Sequence, residues 1–174
     1  LDLGPDIHYF PLDLSQCIPT MNYDICIHAA GMADDQANTE IYYKSNIVAT
    51  ESLINALPKC QCFIYISSSS IYSNTNAFPK KESDAALANN LSLYGRSKLM
   101  GEQIVINSCI PSKYILRPRA VYGARDTTLL PRIEKLVKGS VMIIPGRLNS
   151  KSSLTHIDNL IEAIQLCLAE KKTG

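Results

Sequence analysis

Apolar positions along this chain fall into short continuous runs, separated by longer stretches in which they recur at helical spacing. Tyr23–Ala29 and Cys62–Ser67 predict buried strands, the second most clearly because it is rich in β-branched and aromatic residues. Lys113–Leu116 predicts another, stopped by Arg117-Pro118, since proline cannot continue a central ladder. Asp6–Phe10 predicts a short strand, and Val141–Ile144 a fifth, closed by Pro145-Gly146. Between them, Thr39–Leu57 places Ala49, Leu53, Ala56 and Leu57 on one helical face and ends at Pro58. Leu93–Asn107 predicts a helix ending before Pro111, and Leu129–Lys138 one ending at Gly139. A last helix is expected after Asp158-Asn159, either of which suits an N-cap, with Leu160, Ile164, Cys167 and Leu168 at helical spacing.

Alternating strands and helices, with near-continuous apolar strands, predict an α/β fold: a parallel sheet covered on both faces. The long irregular stretch Ser68–Asn90 leaves the clearest strand at its carboxyl end. Loops of that length in a compact domain are usually functional, and open α/β sheets place their ligands at that edge. The chain has no internal repeat.

Composition narrows the classes. A chain of 174 residues, 46% of them apolar, supports one soluble globular domain. A net charge of +1 without a basic stripe argues against a nucleic-acid partner. No apolar run approaches the roughly 18 residues of a membrane span. No signal-peptide pattern is present. The six cysteines include several inside apolar runs, the three histidines are scattered, and no C-x-x-C occurs. A metal site or a secreted disulfide framework is therefore not expected, and reduced thiols in a cytoplasmic protein are.

Tyr94-Gly95-Arg96-Ser97-Lys98 sets a phenol and an ammonium four residues apart, on one face of a predicted helix. A cation beside a phenol favours the phenolate and draws its pKa down from about 10. Such a phenolate can take a proton from a substrate hydroxyl while a hydride leaves the same carbon for a nicotinamide. With nine tyrosines in the chain, about half a Tyr-x-x-x-Lys match arises by chance, so the pair carries little alone. Ser67-Ser68-Ser69-Ser70 follows the most buried strand, where a hydroxyl can orient a reacting oxygen. No G-x-S-x-G elbow surrounds these serines, which argues against a serine hydrolase.

Read together, the segments are more specific. Ile27-His28-Ala29-Ala30-Gly31, Tyr43–Thr50, Tyr65-Ile66-Ser67-Ser68-Ser69-Ser70-Ile71-Tyr72, Tyr94–Lys98, Leu116–Gly123 and Leu154–Leu160 follow one another in order. In that order and spacing, from about Asp13 to Ala169, the chain resembles the NAD-dependent epimerase/dehydratase family, the extended short-chain dehydrogenases/reductases. The resemblance implies a Rossmann-like, doubly wound parallel sheet. It implies catalysis by Ser68, Tyr94 and Lys98, with Lys98 also holding the nicotinamide ribose. Asp13 and Leu14 match the pair at the adenine. Ala29, Ala30 and Gly31 match the stretch under the cofactor phosphates and ribose, and Asn46 a helix residue beside the cofactor. Pro118 and Val121 match positions near the nicotinamide, and Ile66 is counted with the cofactor-binding set. His28 reads instead as a structural imidazole satisfied by backbone.

The implied activity is NAD- or NADP-dependent hydride transfer between nicotinamide and a secondary alcohol or ketone, with Tyr94 as acid/base. A nucleotide-sugar 4-epimerase is the alternative enzyme, and a non-catalytic dinucleotide-binding module the alternative of another class. The substrate is a small molecule in either enzyme, and homodimerisation is left open. The family's opening Gly-rich turn and second strand are not in this sequence, so the choice between NAD and NADP is not readable. The expectation is a fragment lacking the first βαβ unit. Residues 1–118 would be a partial dinucleotide-binding domain, and 119–174 the start of a substrate region whose helix packs back on the sheet. Such a piece is expected to bind dinucleotide poorly and to be inactive alone, because the turn's backbone donors hold the pyrophosphate. Ser69 and Ser70 stand where the family's dehydratases carry Asp-Glu, which argues against elimination chemistry. Ala120 stands where many nucleotide-sugar members carry Asn, and the Thr155–Leu160 segment is closer to sterol- and hydroxyketone-acting relatives.

Overall fold

The strand Cys62–Ile66 organises the molecule because both of its faces are covered. The computed structural model describes residues 6–34, 37–72, 79–84, 91–127, 129–142 and 153–170. Three strands, β1 (Ile25–His28), β2 (Cys62–Ile66) and β3 (Ser112–Leu116), form a parallel sheet in the order β1-β2-β3. Ile25 registers with Cys62, and Cys62 with Ser112. Successive side chains of β2 point to opposite faces. Phe63 and Tyr65 enter a core with Leu53, Leu57, Cys60, Val105 and Ile110. Fully burying an aromatic or aliphatic side chain of this size is worth about 1.5–3 kcal/mol.

That face of the sheet is covered by two helical segments. The first runs as α1 (Thr39–Tyr42), a π-helical stretch Tyr43–Val48, and α2 (Ala49–Asn55). It starts where the Asn38 side chain accepts from the Ile41 N–H at 2.9 Å, and it ends before Pro58, which has no N–H to extend it. The second, α3 (Leu93–Asn107), is capped by Ser92, whose hydroxyl accepts from the Gly95 N–H at 3.1 Å. The opposite face carries α5 (Ile157–Glu170), which packs on β2 with Cys167 beside Cys62. The sheet therefore has helices on both faces, as the alternation predicted.

Five expectations change. Asp6–Phe10 forms no strand, and Tyr9 and Phe10 are exposed. Tyr23–Ala29 contracts to β1 and is buried on one face only, because Ile25 and Ile27 point outward at about half exposure. Leu129–Lys138 splits: α4 stops at Glu134, and β5 (Val137–Lys138) pairs with β6 (Val141–Met142) in an antiparallel hairpin. The described part of the expected fifth strand thus lies outside the parallel sheet, with Ile143 and Ile144 outside the described residues. The last helix begins at Ile157, so Asp158 and Asn159 sit inside its first turn, not at its cap. Strand β4 (Val121–Tyr122) pairs in parallel with β7 (Thr155–His156), returning the chain to α5. Among the described residues, no helix is long and apolar enough to cross a membrane, and all six cysteines are free thiols.

Candidate active site

All three parallel strands release their chains at one edge, and the segments they release line a cavity of about 610 Å³. From β1 come Ala29, Gly31 and Met32; from β2, Ile66 and Ser67–Ser70; from β3, Pro118, Arg119, Ala120 and Val121. The β2–β3 pairing extends beyond the strands, with the Ser67 N–H donating to the Leu116 carbonyl at 2.7 Å and the Ser69 N–H to Pro118 at 3.1 Å. These two bonds hold Ser68 level with Pro118. Ser68 accepts from the Ser70 N–H at 3.1 Å, capping the short 3₁₀ turn Ser69–Ile71. Helix α3 presents Tyr94 and Lys98 to the same space.

Close approach of α3 depends on Gly95. A Cβ there would lie 2.4 Å from the Ser70 carbonyl oxygen, a backbone atom that cannot step aside. Gly95→Ala is therefore expected to lower stability by about 1–3 kcal/mol, as overpacking does, and to reduce turnover by parting Ser68 from Tyr94. Thermal melting and turnover both equal to wild type would show that the helix and loop separate freely.

Lys98 is 5% exposed, and its ammonium sits 4.4 Å from the centre of the Tyr65 ring. Burial brings its pKa down from the usual 10.5 to about 8, with the Glu102 carboxylate opposing that fall. It remains mostly charged at neutral pH. No hydrogen bond to this ammonium is made among the described residues, so its donors are available at the cavity wall. Tyr94 packs its ring against Tyr42, centroids 6.0 Å apart. No carboxylate lines the cavity among the described residues, consistent with Ser69 and Ser70 in place of an acidic pair.

Not every expected cofactor residue reaches the cavity. Asn46 is buried within the π-helical stretch, a kind of bulge frequent at functional sites. Its carboxamide accepts from the Met32 N–H at 2.7 Å, donates to the Met32 carbonyl at 3.0 Å and donates to Ser97 Oγ at 2.8 Å. Asn46 thus ties the segment after β1 to α3 from behind the wall. A Cβ at Gly31 would lie 2.7 Å from Asn46 Oδ1 and 3.8 Å from Lys98 Nζ, so the chain passes there only without a side chain. Asp13 is exposed and closes its own turn, accepting from the Ser15 N–H at 2.9 Å, a bond that also lowers its pKa. Leu14 packs on the core, and Ala30 is exposed and does not line the cavity.

His28 is buried as expected, but its partner is a side chain. Thr50 donates its hydroxyl proton to the Asn46 carbonyl at 2.8 Å, so His28 Nε2–H must donate to Thr50 Oγ1 at 2.9 Å. Burial, then the Lys98 charge, lowers the imidazole to about 4, which keeps it neutral. Sequence reasoning missed Tyr65, Glu102 and Arg117. Glu102 could have been found, because it lies four residues beyond Lys98 and so on the same helical face.

Comparison with known proteins gives the family and the fold. The model of the NAD dependent epimerase/dehydratase family matches residues 11–174. A Stigmatella aurantiaca 4-hydroxy-2-methyl-3-oxo-4-farnesyl-3,4-dihydroquinoline-1-oxide ketoreductase is 22% identical over 156 residues, 87% of this chain and 46% of the relative. Human sterol-4-alpha-carboxylate 3-dehydrogenase, decarboxylating, is 24% identical over 170 residues, 91% of this chain and 46% of the relative. Among solved structures, UDP-glucuronic acid 4-epimerase from Bacillus cereus in complex with NAD superposes with a TM-score of 0.73 at 29% identity, covering 86% of this chain and 51% of that one. The chain spans about half the length of these relatives.

Proposed function

Because this chain belongs to the NAD dependent epimerase/dehydratase family, we propose that it carries the catalytic face of an NAD(P)-dependent enzyme that moves a hydride between nicotinamide and a secondary alcohol or ketone. The observation that carries this reading is the convergence of Ser68, Tyr94 and a buried, charged Lys98 on one cavity at the carboxyl edge of the parallel sheet. A retired binding module has no physical reason to keep an ammonium in so costly a place.

The cavity fits the nicotinamide end of a dinucleotide. Its volume lies within the range of small-molecule sites, Gly31 allows close backbone approach, and the Lys98 donors face it. When bound, the dinucleotide supplies or accepts the hydride. Lys98 would hold the ribose hydroxyls, and its charge would favour the Tyr94 phenolate. Tyr94 takes the proton from the substrate hydroxyl, or returns it to the carbonyl oxygen, at its phenolic oxygen. Ser68 Oγ donates to that same oxygen and fixes its orientation. Of the residues the resemblance implies, Ala29, Gly31 and Ile66 would line the cofactor's place, with Pro118 and Val121 near the nicotinamide, while Asn46 would support that wall from behind. NAD is the favoured dinucleotide, supported by the family and by the NAD-bound Bacillus cereus epimerase, with NADP as the alternative. The free thiols support a cytoplasmic setting. The division at residue 118 into dinucleotide-binding and substrate regions follows the point where the chain leaves the parallel sheet.

The second reading, a nucleotide-sugar 4-epimerase, is favoured by the likeness to the Bacillus cereus enzyme. Ala120 weighs against it. This residue lines the cavity with φ 39°, a left-handed conformation uncommon for alanine, and its methyl offers a sugar no hydrogen bond. In the full-length protein, nicotinamide absorbance separates the two. A dehydrogenase is expected to oxidise NADH steadily with a suitable ketone. An epimerase interconverts UDP-glucuronic acid with no net change in NADH. Failure to bind either dinucleotide in a calorimetric titration would sink both readings.

A further inference from the structure

Beneath the cavity lies a buried ion pair that the proton-transfer chemistry does not itself use. Glu102 is fully buried on α3, and its carboxylate receives both arms of Arg117: Nε donates to Oε1 at 3.0 Å and Nη2 to Oε2 at 2.7 Å. The Ser67 hydroxyl donates to the same Oε1. The remaining arm of Arg117, Nη1, donates to the Tyr72 hydroxyl at 3.2 Å and to the Glu82 carbonyl at 2.8 Å. One carboxylate and one guanidinium thus join α3, the residue before Ser68, the end of the serine turn and the outer segment at Glu82.

The arrangement is costly unless it does something further. Two charges taken from water need excellent geometry to break even, and apolar residues of similar volume often serve stability as well. Here all but one of the contacts, the Glu82 carbonyl excepted, fall on elements that carry or flank a reacting group. Glu102 also lies one helical turn beyond Lys98, which lies one turn beyond Tyr94, so the three share a face of α3.

We propose that Glu102, locked by Arg117, is a positioning residue of this site: it fixes the serine turn against α3 and supplies the negative charge that keeps Lys98 an ammonium. The proposal rests on the assignment of Ser68, Tyr94 and Lys98 made above. The titratable groups facing Lys98 are His28 from β1, Tyr65 from β2, and Tyr94 and Glu102 from α3. His28 stays neutral, and burial pushes the Tyr65 phenol up, so neither supplies charge at neutral pH. Glu102 is the one carboxylate among these groups.

The test is a titration of Lys98 by NMR in full-length protein isotope-labelled at the lysine ε-carbons, its resonance identified by comparison with Lys98→Arg. The titration is made without cofactor or substrate, so its result, unlike the turnover assay below, does not depend on the proposed reaction. Glu102→Gln keeps the shape and removes the charge. It is expected to lower the Lys98 pKa by about one unit or more, because losing a nearby anion disfavours the ammonium. Arg117→Lys keeps a cation but loses the bidentate fork and its third arm. It is expected to leave that pKa within about half a unit of wild type and to cut turnover about tenfold by freeing the serine turn. A folded Glu102→Gln protein with an unmoved Lys98 titration would overturn the proposal and leave Glu102 a structural residue. If that variant does not fold, Arg117→Lys decides: undiminished turnover overturns the positioning role.

Discussion

Replacing Tyr94 with phenylalanine is expected to lower turnover of the full-length protein by about two to four orders of magnitude, the usual worth of a positioned acid–base group. The change removes one oxygen and leaves the ring, which packs on Tyr42. The cavity wall keeps its shape, so dinucleotide affinity measured by calorimetry is expected to stay within about threefold of wild type. That combination separates proton transfer from binding. Near-normal turnover would show that another group moves the proton, and the assignment of Tyr94 would fail.

Lys98→Met is expected to trade function for stability. Methionine keeps much of the buried stem but holds no ribose hydroxyl and no charge beside Tyr94. Dinucleotide binding should weaken at least tenfold, the scale of one charge-assisted hydrogen bond lost. The alkaline shift of the rate profile should accompany it, because the phenolate then forms at higher pH. Stability should move the other way. With a pKa of about 8 folded against 10.5 unfolded, the wild-type chain takes up a proton on unfolding between those pH values. Its burdened stability at neutral pH is therefore relieved as pH rises from about 8 toward 10.5. Methionine removes that burden, worth on the order of 3 kcal/mol near pH 7, and the rise in stability that Lys98 contributes across that window, read as the difference from wild type, should be absent. Denaturant melts at several pH values check this. An unchanged affinity together with an unchanged stability profile would show that Lys98 lies at the surface in solution.

Much of the site was legible because its residues obey local rules. Tyr94 and Lys98 share a face as any i, i+4 pair on a helix must. Ser68 follows a short run of β-branched and aromatic residues, which favours a buried strand, and Cys62–Ile66 forms one. Gly31 and Gly95 stand in quoted motifs, but their purpose was invisible until the atoms each would strike were placed: Asn46 Oδ1 and the Ser70 carbonyl. The strand errors have a common cause. Asp6–Phe10 and Val141–Ile144 are apolar enough to pair, but apolarity does not choose a partner: the first pairs with no strand among the described residues, and Val141–Met142 of the second takes Val137–Lys138.

What the sequence determined by itself, then, was the set of elements on the parallel sheet, the helical face bearing Tyr94 and Lys98, and the family. Hydrophobic periodicity, helical geometry and ordered motifs are all properties of near neighbours along the chain. Only the tertiary structure decided which polar groups satisfy one another inside. Asn46 meets Met32 and Ser97, His28 meets Thr50, and Glu102 meets Arg117 and Ser67. Those pairings join residues 14 to 51 positions apart. They form because a buried polar group left without a partner costs about 1–3 kcal/mol, and which partner is in reach depends on how the sheet and helices pack, not on spacing along the chain.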